Sequence, residues 1–257
     1  MRTLLILMAL ASPAIAQLPE KPADVIPYTM EVTVYLESAS GSGSGTIYTR
    51  NDKDYVLSCA HVVEKSRIER KVIKDGQEIT LVEFEPIQVS KYYIENGEVV
   101  GKNTVFGRVV KYSNDDFGYD LSLIELDKHD VFVKGAVLYS GENLPVGDEI
   151  YHVGSLYGDT GYNSFSRSYI SQYGRKIGRR SYIQTACTVA PGSSGGPLFT
   201  TKGEQYGVVV MRSQADATMN FSVPYTDVRS WLKRAGALWV VDESVPVAEL
   251  SPEIEVE

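Results

Sequence analysis

Short runs rich in β-branched and aromatic residues, closed by glycine, asparagine, aspartate or serine, recur along almost the whole chain. The first half carries MEVTVYLE (30–37), GTIYTR (45–50), DYVLSCAHVV (54–63), ITLVEFE (79–85), VFGRVVKY (105–112) and DLSLIEL (120–126). The second carries DEIYHVG (148–154), RSYIQTAC (180–187), GPLFT (196–200), EQYGVVVM (204–211) and MNFSVP (219–224). Runs of this length, punctuated by turns, build a β-sandwich or barrel. No series of strands alternating with long amphipathic helices is present, which argues against a parallel α/β sheet. The fold class is therefore all-β. One helix is expected after Pro224: Thr226 or Asp227 can cap it, Val228, Trp231 and Leu232 share a face, and Gly236 can end it.

The opening residues, MRTLLILMALASPAIAQ, join one positive side chain, an apolar run and the small-x-small tripeptide Ala14 to Ala16, so residues 1–16 read as a secretory leader. The run falls short of the ~20 residues a bilayer span needs, and no later stretch comes closer. A secreted or periplasmic protein that leaves the membrane once the leader is removed is expected. The rest divides into a first half, 17–130, and a second, 131–238, with the boundary between Asp127 and Gly147, where the strand pattern lapses. Residues 239–257 are acidic and aperiodic, so a disordered tail is expected. A net charge of -8 disfavours a nucleic-acid partner, because phosphate binding needs a basic face. Cys59 and Cys187 lack zinc or redox spacing, and no His/Cys/Asp/Glu cluster has ligand spacing, so neither metal nor cofactor is expected. An exported chain can join the two cysteines; two buried thiols are the alternative.

The segment GSSGGPL (192–198) raises the question of a nucleophile, since serines among glycines form either a reactive turn or a merely flexible one. Gly192 to Gly196 satisfies G-x-S-x-G, the elbow of α/β-hydrolases, where the catalytic histidine follows the serine. Here His61, His129 and His152 all precede it, so that reading fails. The order His, Asp, Ser survives. His61 closes an apolar strand-like run and reads either as a satisfied core histidine or as a base. Asp120 opens a strand of buried leucines and reads either as a turn residue or as a carboxylate needing a partner, because a bare buried carboxylate is costly. His129 lies in the polar turn DKHDV, Asp115 and Asp116 in a surface turn, and the basic segment Arg167 to Arg180 reads as a solvated loop.

Together, SCAHVV, YDLSLIEL and PGSSGGPLF resemble the three signature segments of the trypsin/chymotrypsin-like serine peptidases, in the family's order. The chain is most similar to their bacterial high-temperature-requirement (HtrA) branch. GSGSGTIY resembles its first-barrel glycine strand, LPVGDEIYHVGSLYG its second-barrel entry, YIQTACTVAPGSSGGPLF its nucleophile segment and NFSVP its closing strand. The resemblance runs from about Tyr28 to Trp231. Two departures stand out: the PDZ domain usual in that branch is absent from this sequence, and Ser193 occupies a position where asparagine or aspartate is common.

The resemblance implies two antiparallel six-stranded β-barrels with a C-terminal helix, and a serine endopeptidase acting on polypeptides from the cleft between the barrels. It puts the nucleophile at Ser194, immediately before Gly-Gly-Pro, the general base at His61, and the orienting carboxylate at Asp120. The N–H groups of Gly192 and Ser194 would form the oxyanion hole, and His152 would be scaffold. Thr188, Val210, Met211, Arg212 and Met219 would contact the substrate side chain, with no aspartate at the pocket base, so cleavage after small or medium aliphatic residues is expected. Neither cysteine matches a disulfide position of the family, which favours free buried thiols. A mature start at Gln17 is not the apolar amine that activates digestive zymogens, so activity without further cleavage is expected. The competing reading is a non-catalytic peptide-binding module that keeps the fold; an intact His61, Asp120 and Ser194 counts against it.

Overall fold

The computed structural model describes residues 16–250, apart from positions 40, 75–76, 96–97, 115–117, 129–131, 133 and 217. The expected leader up to residue 15, His129, the Asp115–Asp116 turn and the end of the expected tail lie outside the described residues.

The chain enters through α1 (Pro22–Glu31), which the strand pattern did not foresee: Met30 and Glu31, expected to open the first strand, form its last turn. Pro22 stands where a fixed φ and a missing N–H cost nothing. Next come β1 (Thr33–Ser38), β2 (Gly41–Arg50) and β3 (Lys53–Ser58). A one-turn helix, α2 (Ala60–Val63), follows, so His61 sits on a helix and not at a strand end. A separate hairpin of β4 (Arg67–Lys74) and β5 (Gln77–Phe84) then stands apart from the barrel. ITLVEFE therefore pairs with β4 alone among the described strands, in keeping with a surface on which only Val82 of β5 is buried. Strands β6 (Ile87–Glu95), β7 (Glu98–Ser113) and β8 (Leu121–Leu126) return to close the first barrel in the order β1-β2-β3-β8-β7-β6. All six residues of β8 are buried, as a strand walled on both faces requires.

The second barrel runs β9 (Glu149–Leu156), β10 (Gly161–Ile177), β11 (Arg180–Thr185), β12 (Pro197–Thr200), β13 (Gln205–Arg212) and β14 (Asn220–Pro224), closed in the order β10-β11-β14-β13-β12-β9. The basic segment expected as a loop is largely β10, whose outer half pairs with β11 and is mostly exposed, so arginines occupy strand positions in water. Helix α3 (Tyr225–Arg234) buries Val228, Trp231 and Leu232 as the spacing requires, but Pro224 is its N-cap, and neither Thr226 nor Asp227 caps it. Gly236 ends the turn beyond it with φ +67.

The expected disordered tail opens with structure. Leu238–Val240 form a 3-10 turn, and Trp239, 3% exposed, meets the Tyr55 ring edge-on at 5.5 Å between centroids. Arg50 donates to the Glu243 carbonyl, which ties the segment to β2. Burying one large apolar side chain contributes roughly 2–3 kcal/mol, enough to hold a short acidic stretch against the core. Across the barrels, the Tyr48 hydroxyl donates to Gln205 Oε1 at 2.5 Å, both side chains buried. Among the described residues no helix is long and apolar enough to cross a membrane.

Candidate active site

At the end of β3 the chain turns through Cys59 into α2, and this turn presents His61 to the surface. Its side chain is 34% exposed, whereas that of Asp120 is 8% exposed. The pair is doubly joined: the His61 backbone N–H donates to Asp120 Oδ1 at 2.9 Å, and His61 Nδ1 lies 2.7 Å from Asp120 Oδ2. A carboxylate only accepts, so Nδ1 carries the proton and Nε2 is left with its lone pair for chemistry. Asp120 reaches this position from a left-handed backbone, φ +54, just before β8. Aspartate tolerates that region better than most residues, and the turn is tied down: Asp120 N–H donates to Asn114 O, Gly118 N–H to Asn114 Oδ1 and Tyr119 N–H to Ser113 Oγ. Ser122 Oγ donates to the Cys59 carbonyl at 2.9 Å, pinning β8 beneath the turn that carries His61.

The serine segment joins β11 to β12 and is held by backbone. Tyr157 N–H donates to Pro191 O at 2.6 Å, and Gly196 N–H to Ser193 O at 2.9 Å. Because a trans peptide points its N–H opposite to its C=O, these two bonds aim the N–H groups of Gly192 and Ser194 away from the anchoring side. Neither N–H donates to another described residue. Glycine is required here in the strict sense. Gly192 has φ +96 and a Cβ on it would lie 2.2 Å from Ser155 O; Gly195 has φ +82 and a Cβ would lie 2.1 Å from Ser58 Oγ.

Ser44, fully buried on β2, welds the barrels together at this loop. Its N–H donates to Ser194 O at 2.7 Å, its Oγ donates to Gly192 O at 2.8 Å, and that same Oγ accepts from Ser155 N–H at 2.8 Å. Val209 O completes the join by accepting from Gly195 N–H at 2.8 Å and from the Cys59 thiol at 3.2 Å. The turn bearing His61 and the loop bearing Ser194 thus share one acceptor. Nothing in the sequence pattern flagged Ser44, Tyr157 or Cys59 for these roles; the glycine-rich run GSGSG was the one signal, and a Cβ on Gly43 would meet Val62 at 2.5 Å and Ser194 O at 2.8 Å.

Tyr119, next to Asp120, is a second unforeseen anchor. Arg180 lies over its ring at 3.6 Å from the centroid and Arg234 at 4.7 Å, so two second-barrel guanidinium groups grip the aspartate turn. Arg180 Nε also donates to Gly118 O at 2.9 Å.

Beside Ser194 opens a cavity of about 130 Å³ walled by Val189, Ala190, Pro191, Val209, Met211 and Arg212. Of the residues expected to contact substrate, Met211 and Arg212 line it, whereas Thr188, Val210 and Met219 do not. Thr188 is exposed while Val189 turns inward, and a bulge between Val209 and Met211 leaves Val210 facing the core. Both cysteines are buried and neither is in a disulfide; burial pushes the Cys187 thiol above its usual range. The donor atoms of Cys59, His61 and Asp120 lie within 4.8 Å of one another, a cluster that their sequence spacing does not reveal. His152 is buried in β9 under the same loop, its Nδ1 donating to Pro197 O at 3.0 Å, and burial pulls its pKa down to about 4.

The Trypsin-like peptidase domain family matches residues 43–208. The serine protease Do-like HtrA of Bacillus subtilis is 24% identical over 204 residues, 75% of this chain and 39% of that protein. A probable periplasmic DegP-like serine endoprotease of Halomonas elongata is 26% identical, over 85% of this chain and 41% of its own length. The chain therefore spans less than half the length of these curated relatives. Among solved structures, Deg5 superposes with a TM-score of 0.59 at 22% identity, over 85% of this chain and 93% of its own. The HtrA-type protease AlgW, solved with a tripeptide, gives 0.61 at 17% identity, over 87% and 64%.

Proposed function

The chain belongs to the trypsin-like peptidase family, and from that premise we propose that it is a serine endopeptidase working through His61, Asp120 and Ser194. The observation that carries this reading is the doubly joined His61–Asp120 pair, which fixes the imidazole tautomer and leaves Nε2 as the acceptor. A serine hydroxyl is a weak nucleophile until a base takes its proton. In the proposed reaction Ser194 Oγ bonds to the scissile carbonyl carbon, and its proton passes to His61 Nε2. The carbonyl π electrons move to oxygen, and that oxyanion meets the N–H groups of Gly192 and Ser194. His61 then gives the proton to the departing amine as the C–N bond breaks, leaving an acyl-enzyme that water hydrolyses by the same steps reversed. Asp120 stays ionised and stabilises the imidazolium. Each oxyanion donor is worth roughly 3–4 kcal/mol of barrier.

The leader-like residues 1–16 support export, with removal after Ala16 and a mature chain beginning at Gln17 as two barrel halves, 17–130 and 131–238. Substrates are polypeptides with a small or medium aliphatic residue before the cut. The test is labelling with a fluorophosphonate, which reacts only with an activated serine. The full chain should label, and Ser194→Ala should not; absence of labelling, or equal labelling of both, overturns the assignment in favour of a peptide-binding module.

A further inference from the structure

Away from the site just described, Lys91 of β6 carries a charge that the protein does not fully satisfy. Its side chain is 6% exposed, and its ammonium lies 3.9 Å from Glu31 Oε1, beyond hydrogen-bond reach. Glu31 commits its other oxygen to Lys134 at 2.8 Å. Two ammonium groups therefore share one carboxylate. Two rings also face Lys91 Nζ, Tyr93 at 5.6 Å and Phe132 at 6.0 Å from their centroids. Burial, reinforced by Lys134 and opposed by Glu31, draws the Lys91 ammonium below its ordinary range. A buried cation without a full set of acceptors is costly.

That ammonium borders a cavity of about 370 Å³, within the size range of small-molecule sites. Pro27 and Met30 of α1, with Tyr93 and Ile94 of β6, supply apolar walls, Asn163 lines it from the second barrel, and Glu31 and Tyr92 complete the lining, so Lys91 and Glu31 both border the space. Asn163 has φ +52 and sits where the register of β10 on β9 shifts, a bulge that turns one residue out of the ladder. The hydroxyl of Tyr92 is already committed to Asp159. None of these residues belongs to the cavity beside Ser194.

We propose that this cavity binds a small molecule made of one carboxylate and an unbranched apolar tail, the carboxylate on Lys91 Nζ and the tail against Pro27, Met30, Tyr93 and Ile94. A second anion balances the two ammonium groups and supplies the short hydrogen bond that Glu31 does not give. An alcohol of the same length leaves the charge uncompensated. An extended peptide brings a row of N–H and C=O groups, for which this lining offers little beyond the Asn163 amide and the Glu31 carboxylate, already shared by two ammonium groups. The proposal is independent of the proteolytic reading, because it uses none of the same groups.

The test is isothermal titration of the full chain, carrying Ser194→Ala so that no peptide is cut, with octanoate below its micelle threshold. Saturable binding is expected, weakened about tenfold or more in Lys91→Met, which keeps the length and removes the charge. Ile94→Asp, at a partly exposed position, should weaken it similarly by repelling the carboxylate and guards against a folding defect in the first variant. Octanol and a short apolar tetrapeptide with blocked ends should bind at least about tenfold more weakly than octanoate. Failure of octanoate to saturate, equal affinity in both variants and the parent, or equal or tighter binding of the alcohol or the peptide overturns the proposal.

Discussion

The two halves of the candidate site are held by different chemistry. On the first barrel, His61 and Asp120 are fixed by side-chain hydrogen bonds to each other and by side chains that brace the aspartate turn. On the second, the segment around Ser194 is fixed almost wholly through backbone carbonyls, received by Ser44, Tyr157 and Gly196. The first half therefore fails when a functional group changes. The second fails when a glycine loses its conformation or a remote donor disappears, even though no reacting atom is touched.

The largest effect separating the halves should come from Asp120→Asn. Asparagine keeps an oxygen for the His61 backbone N–H, so the turn survives, but its amide N–H then faces Nδ1 and selects the other tautomer. A fall in kcat on the order of 10⁴-fold is expected with folding intact by circular dichroism. Near-normal turnover would remove Asp120 from the proposed triad and leave it a turn residue.

A smaller effect tests the floor of the second half through His152. Its pKa of about 4 lies below the 6.5 of an unperturbed imidazole because burial penalises the charged ring. Above pH 6.5 neither state holds the proton. Between 6.5 and 4 the unfolded chain takes up a proton that the folded chain refuses, so stability falls as pH falls, by about 3 kcal/mol over the window. Urea unfolding at pH 7 and pH 4.5 should show a steeper loss in the parent than in His152→Leu, since carboxylate contributions are common to both. Identical pH slopes would mean that His152 does not titrate in this window.

Ser44→Ala sharpens the comparison further, because it strips one side chain from the first barrel and disturbs only the second. The Gly192 carbonyl and the Ser155 N–H both lose their partner, and an unmet buried group costs about 1–3 kcal/mol. If the loop relaxes to recover those bonds, the Gly192 N–H turns from the position proposed for the oxyanion. A ten- to hundredfold loss in kcat is expected, roughly 1.4–2.7 kcal/mol, with KM nearly unchanged. A change confined to KM would place Ser44 in substrate binding instead.

The same asymmetry explains what the sequence made legible. Strand periodicity and turn residues are local, so most of the barrel strands were visible, and Ser194 was marked by glycines that only a special backbone needs. Helix α1 was missed because Val25, Tyr28 and Thr29 face inward on a segment with two prolines and little amphipathic contrast. The arginines of β10 disguised a strand because its outer half leaves the barrel and meets water. Trp239 was hidden by the acidic, aperiodic stretch that begins three residues after it, although it is buried against Tyr55. Ser44 and Tyr157 were invisible for a deeper reason: one is a serine in a glycine-rich strand, the other an exposed tyrosine with φ +58, and each acts through long-range backbone bonds that no local pattern encodes.

The smallest effects concern the side chain accepted before the cut bond, and they compare the two walls of one cavity. At about 130 Å³ it is smaller than the 150 Å³ engineered space known to hold benzene, so an aromatic ring should not fit without movement. Val189 and Val209 make one wall apolar, and no carboxylate lines the cavity to receive arginine or lysine. Arg212 is exposed, so its stem can lie along the rim with its head in water and leave the opening clear. Each added methylene that fits should then gain ~0.8 kcal/mol, a few-fold in kcat/KM, from alanine to valine. Gain should stop once the space is full, so phenylalanine should fall below valine. Met211→Gly should reverse that last step, because removing the thioether deepens the slot between β13 and the Val189 segment. The check is kcat/KM on peptides differing only at this residue, for the parent and Met211→Gly; a parent that prefers phenylalanine, tyrosine, lysine or arginine over valine would show that the cavity opens in the complex and that its resting volume does not set specificity.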